Sequence, residues 1–275
     1  MSSLDDGRQP ALMPVLFIPH GGGPMPLLDD PEHRDLTTFL RQVPSRLPRP
    51  QAILMISAHW EESVASVSAS PAPAMIYDYQ GFPPETYHYQ YPAAGDPALA
   101  KRIYQLLLTQ GIEARLDNER GFDHGTFVPL MLMYPAADIP VMQLSLVHPL
   151  DPATQIALGK AIAPLREQGV LIVGSGMSFH NMRAFFSGQA SNLSRSDAFD
   201  RWLTQILTSD ELDKAAQQQA LERWQSAPEA RFSHPREEHL LPLHVCFGAA
   251  QATAKAAKIY SGTLFDTRIS AFMWD

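Results

Sequence analysis

The sequence has a single cysteine, Cys246, among its 275 residues. An intramolecular disulfide is therefore impossible, as is a cysteine-rich zinc cluster, and any metal has to be held by histidine and carboxylate side chains. Long hydrophobic runs are missing too. The run Val15 to Ile18 is far too short for a membrane span. The stretch before it, MSSLDDGRQPALM, carries two acids and no basic n-region, so neither a signal peptide nor an anchor is expected and the chain reads as cytoplasmic. Positive charge is in short supply, with 21 Lys and Arg against 29 Asp and Glu and a net charge of −8. Such a balance offers no global attraction to phosphate backbones or anionic lipid, so no nucleic-acid and no membrane partner is expected. The GxxxxGK[ST] loop, the GxSxG elbow and the HExxH helix are all absent. GSGMSF at 174–179 lacks the glycine spacing of a dinucleotide fingerprint, and there is no internal repeat or low-complexity tract.

What is present is the composition of a globular protein, 45% hydrophobic and 18% charged. The length allows one large domain or two small ones. No linker-like shift divides the chain, so a single catalytic domain over 1–275 is expected, with 1–12 as a flexible N-terminal tail. The 24 prolines are scattered beside apolar runs as loop and helix-start punctuation. Four short apolar runs, at 13–19, 52–58, 139–147 and 169–176, read as strands buried on both faces. Between them, Asp96-Pro97 and Asp151-Pro152 open helical stretches that end before Gly111 and Gly169, with Pro164 shortening the second. Residues 196–227 read as two helices broken near Ser209-Asp210, 238–251 as a further helix, and the C-terminal fifteen residues as a late strand. Strands alternating with helices predict an α/β fold with a mostly parallel central sheet flanked by helices.

The informative feature is where histidines fall. Four strand-like runs end at, or a few residues before, His20, His59, His148 and His180. In a parallel sheet the carboxyl ends of the strands share one edge, where ligands bind, and imidazole is both the commonest metal ligand and a base suited to neutral pH. His20 opens HGGGP, whose glycines permit a tight turn and leave room for a ligand; an ordinary strand-to-helix turn explains it equally well. His59, in SAHWEE, would by itself read as a hydrogen-bonded core histidine. His180, in GSGMSFHN, is followed by Asn181, which can orient a loop or a ring nitrogen. His124 follows Asp123, a residue type that caps helices. His239 follows Glu237 and Glu238, acids common at helix starts for dipole reasons alone. His148 reads as a rim residue, and His33, His88, His234 and His244 as ordinary loop or core histidines, with His88 and His234 the two best placed to line a cleft.

Taken in order, HGGGP, SAHWEE, GFPPETYHYQYPAAGDPALA, GFDHGTFVPLMLMYPAADIPVMQLSL, GSGMSFHNMRAF and HPREEHLLPLHVCFGAA resemble the class III extradiol ring-cleavage dioxygenases of the LigB-like superfamily. The resemblance is strongest to the branch that includes 4,5-DOPA extradiol dioxygenases and runs from about residue 14 to about 250. It implies one α/β domain with its active site at the carboxyl ends of the strands and a mononuclear non-haem metal there. His20, His59 and His239 match the metal ligands, His180 the active-site base and a fourth ligand in zinc-loaded forms, and His124 a second active-site histidine. HGGGP stands where many relatives have HGSP.

The implied chemistry suits these residue types. A catechol and O2 need open positions on one Fe(II), which leaves three facial ligands for the protein, while Zn(II) competes for the same nitrogens during purification. An unligated imidazole serves as base for the second hydroxyl. Trp60, Phe82 and Phe127 are the expected walls around the ring. A zinc hydrolase using the same histidines, or a metal- or ligand-binding scaffold without turnover, remains an alternative on these residues alone.

Overall fold

The four apolar runs become neighbours in one sheet. In the computed structural model, which describes residues 12–250 and 254–275, the six-stranded sheet has the order 141–143, 52–57, 170–176, 15–19, 267–274, 256–264. Residues 1–11 of the expected tail lie outside the described residues. The first four strands run parallel, and an antiparallel hairpin closes the far edge beside Val15–Pro19. Every residue of Val15–Pro19, Ala52–Ser57 and Val170–Gly176 is buried. Their side chains alternate between two cores: Val15, Phe17, Leu54, Ile56 and Ile172 face one, and Leu16, Ile18, Ile53, Met55 and Val173 the other. A strand covered on both sides has no polar face to show, which is why these runs carry no polar alternation.

The helices cover both faces. Pro97–Thr109, Pro152–Ile162, Ser191–Thr208 and Leu241–Ala249 pack on the first core, Arg34–Gln42 and His124–Met133 on the second. Asp96 and Asp151 cap their helices as expected, each accepting backbone N–H bonds. Ile162 is the last α-helical residue before a 3-10 turn containing Pro164 that ends at Gly169, φ +74°. The polar segment forms two helices, Ser191–Thr208 and Lys214–Glu222. Among the described residues no helix is long and apolar enough to cross a membrane.

Three expectations need correction. The run 139–147 is two strands: the Leu144 N–H still bonds Met55, but Ser145 and Leu146 donate to Ser66 and Trp60. Leu146–Val147 thereby pairs with Glu61–Glu62 in a separate small sheet. The late strand is the second arm of a hairpin, Ala256–Leu264 and Thr267–Trp274, turning on Phe265 and Asp266 with φ of +48° and +53°. The last helix is shorter than 238–251. Pro242 lies in the first turn of Leu241–Ala249, so His239 stands just before the helix. That helix is wedged against Pro152–Ile162: a Cβ at Gly248 would lie 2.1 Å from the Ile156 carbonyl oxygen. Only glycine permits this approach.

Candidate metal centre

At the carboxyl edge of the sheet five imidazoles meet. His20 directly follows Val15–Pro19, and its backbone N–H bonds the Gly176 carbonyl of the neighbouring strand. The turn after it needs glycine, because Gly21 has φ +82° and a Cβ there would strike Pro26 and His33. His33 braces this turn from below. Its Nδ1–H donates to Asp30 over 2.6 Å and its Nε2 accepts from the Gly22 N–H over 3.0 Å. His59 follows Ala52–Ser57; its backbone N–H bonds Ser57 Oγ, which in turn donates to Asp123. His239 arrives from the far side, held by the Met177 N–H on its carbonyl at 2.9 Å. The contact is close enough that a Cβ on Gly176 would sit 2.2 Å from that oxygen.

His20, His59 and His239 each offer a nitrogen within 4.8 Å of the others. His20 Nε2 and His59 Nε2 are 3.3 Å apart. The second nitrogen of each ring has an oxygen beside it. His20 Nδ1–H donates to Gly21 O at 2.9 Å, His239 Nδ1–H to Glu238 Oε1 at 3.0 Å, and His59 Nδ1 lies 3.6 Å from Asp78 Oδ2. A proton fixed on Nδ1 leaves Nε2 as a bare lone pair, the form a metal takes. Burial, joined by the mutual repulsion of neighbouring imidazoles, holds all three well below the ordinary histidine pKa, so they are neutral at neutral pH. Neutral nitrogen lone pairs converging in a dry site fit a divalent transition metal.

Two further groups overlap this one: His59, Asp78 and His124, and His180, Glu238 and His239. His124 begins the helix His124–Met133, capped by Asp123, which accepts from the Thr126 N–H. Asp78 accepts from both the backbone N–H (3.0 Å) and Nδ1–H (2.9 Å) of His124. Burial works to raise the Asp78 carboxyl, but the His124 bonds and charge outweigh it and the net shift is downward, toward carboxylate. His180 stacks on His239, ring centroids 3.4 Å apart and planes 13° from parallel, with its Nδ1 3.6 Å from Glu238 Oε1. Asn181 orients the loop rather than the ring: it caps Met182–Phe185 and donates to Phe232 O.

The five histidines line a cavity of about 240 Å³. Of the three expected walls, Phe82 lines it. Phe127 is fully buried one layer behind, 6.4 Å from Tyr79, and Tyr79 takes its place at the surface of the cavity. Trp60 also stands outside the lining, bonded to Glu62 and covered by the Arg120 guanidinium at 5.0 Å. An aromatic residue beside a ligand in sequence points to the opposite side of a strand end as readily as toward it. His148 is exposed at the rim against Glu61, His88 is exposed on its own loop, and His234 and His244 are buried on the backbone carbonyls of Ser178 and Leu221. Asp78 and the bracing role of His33 escaped the sequence reading. The one available hint for Asp78 was an acid set between Tyr77 and Tyr79 in an otherwise aromatic stretch.

Asp78 is hydrogen-bonded to His124 and lies 3.6 Å from Nδ1 of His59. Asp78→Asn is expected to weaken metal retention or turnover about 10- to 100-fold, the usual scale for a carboxylate behind a ligand histidine. Metal titration and steady-state rates check this.

Residues 14–272 match the family described as "Catalytic LigB subunit of aromatic ring-opening dioxygenase". The chain is 40% identical to "Dioxygenase tasH" of Hapsidospora irregularis over 96% of this chain and 86% of that protein. It is 40% identical to the "4,5-DOPA dioxygenase extradiol" of Beta vulgaris over 93% of each, and 38% identical to the protein so named in Escherichia coli K12, over 86% and 85%. A crystal structure of an uncharacterized protein from Escherichia coli K12 superposes with a TM-score of 0.78 at 32% identity, covering 95% of this chain and 99% of that one.

Proposed function

Because the chain belongs to the LigB family of aromatic ring-opening dioxygenases, we propose that it cleaves a catechol beside its hydroxylated carbons, using one Fe(II) held by His20, His59 and His239. The observation that carries this reading is the convergence of three neutral imidazoles, His20 and His239 buried and His59 half-buried, whose Nδ1 atoms face oxygen, leaving Nε2 free. When bound there, the metal supplies chelation of the two catechol oxygens and activation of O2.

The remaining residues act on the substrate. His180, on the cavity wall beside His239, is the base that removes the second hydroxyl proton, and Glu238 behind its Nδ1 stabilises the imidazolium formed. His124 is held through Nδ1 by Asp78, which keeps its Nε2 directed to the substrate. Phe82 and Tyr79 flank the catechol and keep bulk water out. Zn(II) at the same nitrogens gives a loaded but inert protein. We place the protein in the cytoplasm, in keeping with a sequence whose single cysteine allows no intramolecular disulfide.

The test is anaerobic reconstitution with Fe(II), then O2 and a catechol panel. Oxygen uptake is expected to match formation of the coloured semialdehyde one to one. A metal-dependent hydrolysis that proceeds without O2 would replace this reading with the hydrolase.

A further inference from the structure

We propose that the substrate is a catechol whose ring substituent is neutral and apolar, rather than an amino acid or carboxylic acid; this rests on the ring-cleavage reading above. Beyond the five histidines the cavity is walled by Met25, Phe82, Met182, Phe185, Phe186 and Phe265. Among the described residues no Lys, Arg, Asp or Glu lines it. The Tyr79 hydroxyl is spent on the Thr86 carbonyl at 2.6 Å. An ammonium or carboxylate brought in on the substrate would lose water and find no oppositely charged side chain in the cavity wall.

The mouth is built to stay greasy. Phe186 is 75% and Met182 52% exposed, although large apolar side chains at such positions gain nothing from water. Phe265 occupies the hairpin turn at φ +48°, a conformation suited to Asn or Gly and unfavourable for a bulky side chain. Its ring nevertheless sits there, 5.6 Å from Phe185 and 6.2 Å from Phe186. Backbone strain kept at a ligand site for the sake of a side chain points to a contact made by that side chain. A cationic alternative exists next door. Arg183 and Arg236 line a neighbouring groove behind His180 and Met182. Arg236 is already paired with Glu61 and Glu238, and Arg183 does not line the cavity that holds the imidazoles.

Three catechols of equal reach separate the cases: 4-propylcatechol, 3-(3,4-dihydroxyphenyl)propionate and DOPA. With the Fe(II)-loaded enzyme, kcat/KM for the propyl compound should exceed both others by about 10-fold or more, the scale of a mismatched pocket group. Binding measured without O2 should follow the same order. If that order holds and no compound is cleaved, the ring-cleavage reading fails while the pocket assignment stands. Phe265→Asn removes the wall and suits the turn, so Tm should hold or rise while the propyl-to-propionate ratio falls toward one. Charged catechols bound and turned over as well as or better than the propyl compound would overturn the proposal, most clearly if Arg183→Ala abolished their advantage. An unchanged ratio in Phe265→Asn would overturn it as well.

Discussion

Alanine at His20, His59 or His239 is expected to empty the metal centre and reduce ring cleavage to background, with the fold retained. Each of the three offers one nitrogen within 4.8 Å of the other two. Two imidazoles alone hold a divalent ion far more weakly than three, so each loss should be felt in full. The fold should survive because the site caps the sheet edge: the strands behind it are packed by side chains such as Phe17, Ile56 and Val173, none of which touches the metal position. Metal content by elemental analysis and Tm by calorimetry separate the two effects. Glutamate at 239 should be the mildest replacement, since it returns an anionic oxygen ligand to the same position. Full metal in all three alanine variants would refute the assignment.

His180→Ala should give the opposite pattern, with metal retained and turnover down about 100-fold or more, the usual cost of removing a general base. Its ring stacks on that of His239 and lines the same cavity, within reach of a substrate hydroxyl bound there. Six-coordinate iron also has no room for a fourth protein ligand once a bidentate catechol and O2 are counted. Catechol affinity measured without O2 should change little. Loss of metal from His180→Ala in the Fe(II) form would instead make it a ligand. A fourth imidazole on Zn(II) without substrate is compatible with this account, because zinc accepts a closed four-coordinate shell.

The parallel sheet and three of its strand-end histidines were legible because one physical rule covers both: buried strands are continuous apolar runs, and ligands collect at their carboxyl ends. His148 obeys the same rule in sequence and yet stands at the rim, since the chain leaves the main sheet at Ser145 through bonds to Ser66 and Trp60 that no local pattern encodes. Asp78 lies in the irregular stretch between Ser68 and Pro97, where neither a 2-residue nor a 3.6-residue period marks which side chains turn inward. His33 looked like a loop residue because Asp30 and Glu32 surround it with charge. Its ring is fully buried under the glycine turn all the same. Trp60 and Phe127 show the converse limit, since apolar character predicts burial but not which cavity a ring faces.

The three overlapping ligand sets make the metal position the sharpest test. An anaerobic crystal structure of the Fe(II)-loaded protein with bound catechol should place the ion about 2 Å from nitrogens of His20, His59 and His239, with His180 and His124 off the metal. An ion seated instead on His59, Asp78 and His124, or on His180, Glu238 and His239, would contradict the account.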